Sequence, residues 1–198
     1  SLFEAGIVHT YWQSAIAGAT GQSPGPLGSA HPLTAPYQAF KTMDKWITVG
    51  ASNQNTWLML LKAINRMDLQ ENEMFSSNFN RKKNITQLVE ILNTELIKKT
   101  SDEWLKIFDD NGLPCGPINS INEMFEDPQT IEREMIIEVD NKKAGTSKAI
   151  GMPIKFSKSK TEKSKGAPNL GEHTKEIMKI FDYNDEQIED FYNRKVIL

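Results

Sequence analysis

Cysteine, long apolar runs and net charge are all scarce in this chain of 198 residues, and each shortage removes a class of protein. Its one thiol, Cys115, makes no internal disulfide, which suits a reducing compartment such as the cytoplasm or mitochondrial matrix and argues against secretion. No apolar stretch approaches the ~20 residues that span a bilayer, and no charged-then-apolar segment opens the sequence. A formal charge of −3 gives no general attraction to nucleic acid or anionic lipid, so neither nucleic acid nor membrane is an expected partner. His9, His31 and His173, taken with Cys115, lack ligand spacing, so no metal is expected.

What is present describes an ordinary globular chain. With 38% hydrophobic and 25% charged residues, 198 residues are enough to bury about 70% of the unfolded surface. The pattern is organised around Asn111-Gly112-Leu113-Pro114-Cys115-Gly116-Pro117-Ile118, a Gly/Pro corner between two helices. Upstream, Thr100-Ser101-Asp102-Glu103 has the form of a capping box, followed by an apolar stripe of Trp104, Ile107 and Phe108. Gly112 falls where a helix needs positive φ just past its end, and Pro114 forbids continuation. Downstream, Ser120-Ile121-Asn122-Glu123 repeats the capping box.

The remaining elements follow from periodicity. Leu2, Phe3, Ile7, Val8, Tyr11 and Ile16 predict one packed helix over residues 2–17; lacking a cap before it, the chain reads as starting in mid-fold, as a fragment, cleaved product or truncated gene product would. Residues 18–34 carry Gly18, Gly21, Pro24, Gly25, Pro26, Gly28 and Pro32, which predicts a long loop. A hairpin is expected from Tyr37 to Val49 with a loose turn near Met43-Asp44. Helices capped by Asn53 or Asn55 and by Asn84 with Gln87 flank a polar loop over residues 71–83. Asp127-Pro128 starts a further helix. A second hairpin over residues 135–150, a lysine-rich connector over 155–165, a helix after Gly171 and a last helix capped by Asn184 with Gln187 complete an α+β pattern.

Three segments, Pro36-Tyr37-Gln38-Ala39-Phe40, Gly112-Leu113-Pro114-Cys115-Gly116-Pro117 and Ala167-Pro168-Asn169-Leu170-Gly171-Glu172-His173-Thr174, together resemble the family III coenzyme A transferases (CaiB/BaiF-like) in order and spacing. The resemblance covers only the C-terminal part of that family's sequence. It implies an α/β fold of interlocked dimers, with residues 1–36 as helix and linker of the large Rossmann-like domain, 37–134 as a small α+β domain, and 135–198 returning to the large domain. It also implies CoA transfer between an acyl-CoA and a carboxylic acid. In that chemistry an aspartate attacks the thioester, and the mixed anhydride becomes an aspartyl-CoA thioester. The aspartate belongs to an N-terminal half preceding Ser1, so no catalytic residue is expected in this chain, and Glu4, Asp109 and Asp110 are not promoted in its place. No cofactor is implied beyond the CoA thioester as substrate. The stretches at residues 36–42 and 116–119 look closest to the succinyl-CoA to glutarate branch, which implies short dicarboxylates and a mitochondrial location.

By the same resemblance, Gly25 and Gly28 belong to a glycine loop that shields the intermediate from water, although Pro24 and Pro26 interrupt the consecutive glycines of the clearest family version. An ordinary crossover between two domains is the competing reading. His31 either bonds a substrate carboxylate or caps the loop. Cys115 reads as packing, the lysine connector as a solvated face or a reach for CoA phosphates, and Trp12, Trp46, Trp57 and Trp104 as core or subunit contact. Partners are either a homodimer or a complex with the N-terminal half. A non-catalytic assembly module and an acyl-CoA racemase of the same superfamily stay open beside the transferase.

Overall fold

Polar side chains that satisfy the first free backbone N–H groups set most of the helix starts. The computed structural model describes residues 1–159 and 165–198, so the connector over 155–165 lies partly outside the described residues. Its chain divides into two compact units, 1–118 and 119–198. The division falls inside the 37–134 segment that the sequence groups as one small domain.

The first unit opens with two helices rather than the single helix expected over 2–17: α1, Leu2–Val8, and α2, Tyr11–Thr20. Thr10 separates them, its Oγ1 donating back to the Ile7 carbonyl at 2.8 Å, a local bond that competes with continued helix. Nor does α1 begin uncapped, because Ser1 and Glu4 form a capping box. The expected packed face is open, with Leu2 91% exposed and Phe3, Val8 and Tyr11 also exposed. Gly21, at φ +71, ends α2.

Strands β1, Tyr37–Lys41, and β2, Trp46–Gly50, form the expected hairpin, with Lys41 and Trp46 as its last pair. Its turn is the loose one: the Thr42 N–H donates to the Lys45 carbonyl, and Asp44 accepts the Ser101 N–H at 2.7 Å. That Ser101 bond is the main cause holding the Asp44 carboxyl below its ordinary pKa. After α3, Gln54–Ala63, capped by Asn53, and a 3-10 turn, Met67–Gln70, come α4, Asn78–Lys83, α5, Ile85–Leu96, and α6, Ser101–Asp110. The sequence reading has a polar loop where α4 forms. It also misassigns Asn84, which does not cap α5 with its side chain; its Nδ2 donates instead to the Met74 and Asn80 carbonyls.

The Gly/Pro corner behaves as its residues require. Gly112 has φ +69, its N–H reaches the Asp109 carbonyl and the Leu113 N–H reaches Phe108, so two of the carbonyls left free at the end of α6 are satisfied. The chain then enters β3, Cys115–Pro117, which the sequence did not reveal, and pairs antiparallel with β2 in the order β1-β2-β3. One face of this sheet is core: Phe40, Ile47 and Val49 pack with Trp57, Leu60, Leu88, Leu92, Leu96, Trp104 and Phe108. Each such large side chain contributes about 1.5–3 kcal/mol relative to exposure.

The second unit holds α7, Ile121–Glu126, α8, Pro128–Glu132, a hairpin of β4, Ile136–Asn141, with β5, Gly145–Ile150, and then α9, Thr174–Ile180, and α10, Asp185–Asn193. The predicted caps at Ser120, Asp127 and Asn184 all form. Ile188 is the one large apolar residue that is buried among the described residues of this unit, while Ile150, Phe156, Leu170, Ile180 and Phe181 stay exposed.

Candidate functional site

The Gly/Pro loop is fastened at its C-terminal end by α4. Asn78 Nδ2 donates to the Leu33 carbonyl at 2.9 Å and its Oδ1 accepts the Ala35 N–H at 3.0 Å. Lys82 Nζ donates to the His31 carbonyl at 3.1 Å. The buried Arg81 donates from Nε to Ala35 at 2.7 Å and from Nη1 to Phe75 and Gln54, with its guanidinium 5.0 Å from the Trp57 ring centroid. Burial pushes its pKa down from the ordinary value. Sequence reasoning missed all three α4 residues; the available signal was Ser77, which caps the helix by accepting the Asn80 N–H.

His31 is committed internally. Its Nδ1 accepts the N–H groups of Leu33 and Thr34, both at 3.1 Å, which assigns the neutral ring's proton to Nε2. The ring stacks on Tyr37 at 5.2 Å and meets the Trp12 ring edge-on at 4.7 Å. Its own N–H donates to the Tyr37 carbonyl at 2.9 Å, so the loop runs along the open edge of β1. Ser29 Oγ continues that coverage by accepting the Ala39 N–H at 3.1 Å.

Beside this edge lies an open groove of about 740 Å³, walled by Leu27, Gly28, Gln38, Lys41, Trp46, Val89, Asn93 and Ile97 among others. Of the candidate loop residues only Gly28 lines it. Gly28 takes φ +59, a turn that glycine makes without side-chain strain. Gly25 and His31 lie outside the lining, and an added Cβ at Gly25 meets nothing within 4 Å.

The third motif segment forms a second polar cluster, in the 119–198 unit. Glu172 accepts the Asn169 N–H at 2.8 Å and an ion-pair bond from Lys142 at 2.7 Å, and these hold its carboxyl down to about 2, the Lys142 bond contributing most. Pro168, Gly171, Glu172, His173 and Met178 line a hollow of about 370 Å³ there. His173 precedes α9 without making a side-chain cap.

Asp109 is exposed at the end of α6, and the other two acids set aside above are engaged locally. Glu4 is engaged by Ser1, and Asp110 by Lys106 at 3.4 Å. Burial, then Asp109, pushes the Cys115 thiol up, away from the reactive thiolate. Among the described residues no group of three or more metal-ligating side chains occurs, and no helix is long and apolar enough to cross a membrane.

Two of the three motif segments are brought together by the first sheet, on β1 and β3 either side of β2, although about 75 residues separate them. Comparison with known proteins places this arrangement. An acyl-CoA transferase of Fusarium pseudograminearum (strain CS3096) is 38% identical over 172 residues, covering 86% of this chain and 38% of that protein. The succinyl-CoA:glutarate CoA-transferase of Homo sapiens is 32% identical over 171 residues, covering 86% of this chain and 39% of its own. A crystal structure of a CAIB/BAIF family protein from Brucella suis superposes with a TM-score of 0.74 at 28% identity, covering 86% of this chain and 44% of that one. The chain thus spans about two fifths of the length of these curated relatives. Its mixed α/β architecture with small antiparallel sheets is a portion of their fold. With residues 1–174 matching the family model as well, the chain belongs to CoA-transferase family III.

Proposed function

We propose that this chain is the C-terminal portion of an enzyme that transfers coenzyme A between an acyl-CoA and a carboxylic acid. The observation that carries the reading is the family match over residues 1–174, with its motif segments built into β1, β3 and the turn before α9. In this reading the nucleophilic aspartate lies in an N-terminal half outside residues 1–198, and CoA passes through an aspartyl-CoA thioester. The chain alone does not turn over. The similarity to a succinyl-CoA:glutarate CoA-transferase supports short dicarboxylates as the exchanged acids.

Two structural features support completion by further protein, in a homodimer or with the N-terminal half. The apolar side chains of α1 and α2 are uncovered, and the second unit has little core of its own. Residues 18–34, with Gly25, Gly28 and His31, serve in this reading as the loop over the completed site. The His31 ring anchors that loop through Leu33 and Thr34 rather than grasping substrate.

Native mass spectrometry with CoA and succinyl-CoA tests the proposal, followed by a succinyl-CoA to glutarate transfer assay on the particle found. The expected particle contains protein beyond copies of the 22.4 kDa chain, shifts in mass with CoA, and catalyses transfer. A particle of 22.4 kDa chains alone, unshifted by CoA, would sink the enzyme reading and leave an assembly module. Deuterium exchange at Cα of a branched acyl-CoA, without transfer, would make it a racemase.

A further inference from the structure

Three buried polar atoms of the first unit have no hydrogen-bond partner among the described residues: Thr34 Oγ1, Trp57 Nε1 and Arg81 Nη2. The Arg81 guanidinium relates them. It lies over the Trp57 ring, with Cζ 5.0 Å from the ring centroid. Its Nε donates to the carbonyl of Ala35, the residue that follows Thr34. In the planar fork Nε and Nη2 share one edge, so Nη2 faces the side of that bond, while Nη1 is taken by Phe75 and Gln54. Thr34 is held in turn by the His31 ring, whose Nδ1 accepts its N–H.

The chemistry of these atoms restricts what fits between them. Nη2 and the indole nitrogen carry N–H groups and cannot accept; only the Thr34 hydroxyl does both. A water among them accepts from the two nitrogens but has two hydrogens of its own to place, with one hydroxyl oxygen to receive them. An anion accepts from all three groups. Charge points the same way. Arg81 is fully buried and its partners Ala35, Phe75 and Gln54 offer uncharged oxygens. Burial is the one cause acting on its pKa, so no described carboxylate offsets the desolvation, a costly state for a cation. Enclosure of all three atoms favours a monatomic ion over a carboxylate or a phosphate. We propose that Arg81 Nη2, Trp57 Nε1 and Thr34 Oγ1 hold a halide-sized monovalent anion such as chloride, which ties the end of the Gly/Pro loop to α3 and α4.

The test compares the 198-residue protein in sodium chloride and in sodium gluconate at equal ionic strength. Chloride, and not the bulkier gluconate, is expected to shift the Trp57 indole N–H signal saturably in an NMR titration. With the same dissociation constant it is expected to raise the folding equilibrium constant, read by urea unfolding, in proportion to one plus chloride over that constant. Thr34→Val, which removes the hydroxyl and keeps the branched shape, is expected to weaken chloride about tenfold, the loss of one hydrogen bond to a charged group. Crystals soaked in bromide are expected to show an anomalous peak between Arg81 Nη2 and Trp57 Nε1. No saturable chloride effect, equal responses to chloride and gluconate, an unchanged chloride constant in Thr34→Val, or an ordered water without anomalous signal at that position overturns the proposal. The bromide crystal needs no variant, so the proposal stays refutable even if Thr34→Val fails to fold. Any of these results leaves the transferase reading intact, because that reading is decided by particle mass and transfer activity.

Discussion

Arg81 Nε donates to the carbonyl oxygen of Ala35 at 2.7 Å, joining α4 to the entry of β1 across 46 residues of sequence. The guanidinium is fully buried, and its hydrogen-bond partners are oxygens of Ala35, Phe75 and Gln54, all uncharged. A buried cation held by carbonyls and an indole face is an anchor whose removal strands its acceptors.

Arg81→Met is therefore expected to lower stability by about 2–4 kcal/mol, because the carbonyls of Ala35 and Phe75 lose their donor in a dry site. Arg81→Lys should recover little, since a single ammonium cannot reproduce the planar fork. Urea unfolding midpoints measure the loss. Limited proteolysis within residues 21–34 should rise in both variants, and unchanged cleavage would show that α4 does not fasten the loop.

Two glycines separate conformational from steric cost. Gly112→Ala should cost about 1 kcal/mol, since its φ of +69 strains any L side chain while an added Cβ meets nothing within 4 Å. Gly166→Ala should cost more, because its Cβ would collide with the Asp140 carbonyl oxygen and the backbone has to move. Denaturation of both variants orders the two losses; a reversed order would refute the steric account.

Acid stability should carry the signature of Glu172. Its folded pKa, about 2, lies below the ordinary 4.5, so its contribution is complete above 4.5 and is lost as pH falls from there through about 2. Glu172→Gln should flatten the stability–pH curve in that window and leave the slope above it unchanged. Lys142→Ala should raise the Glu172 carboxyl pKa, read by carbon-detected NMR titration, because the Lys142 bond is the largest cause of the depression.

Cys115 should behave as a packed thiol. Burial raises its pKa, and Sγ lies 3.9 Å from the Leu105 carbonyl, so alkylation by iodoacetamide at pH 7.5 should be slower than for a free thiol. Cys115→Ser should leave CoA transfer by the completed enzyme unchanged; loss of transfer would reopen a nucleophilic role.

Much of the fold could be read from short stretches of chain. The capping boxes at Thr100, Ser120 and Asn184, the positive φ of Gly112, and the Leu88, Leu92 and Leu96 face of α5 each rest on residues within a few positions of one another. Local hydrogen bonds and helical periodicity decide such features before any tertiary contact forms. The family, too, was legible in motif residues. Tertiary structure alone decided the rest. Cys115 to Pro117 became a strand because β2 offered an edge, and no propensity of Cys-Gly-Pro foretells that. Asn78, Arg81 and Lys82 became the clamp of the loop because their partners lie more than 40 residues upstream. His31 was drawn inward by Leu33 and Thr34, and Lys41 was left beside Trp46 by the register of one hairpin. Pairings of this kind depend on which distant groups the fold brings within hydrogen-bond reach, and the linear pattern does not encode that directly.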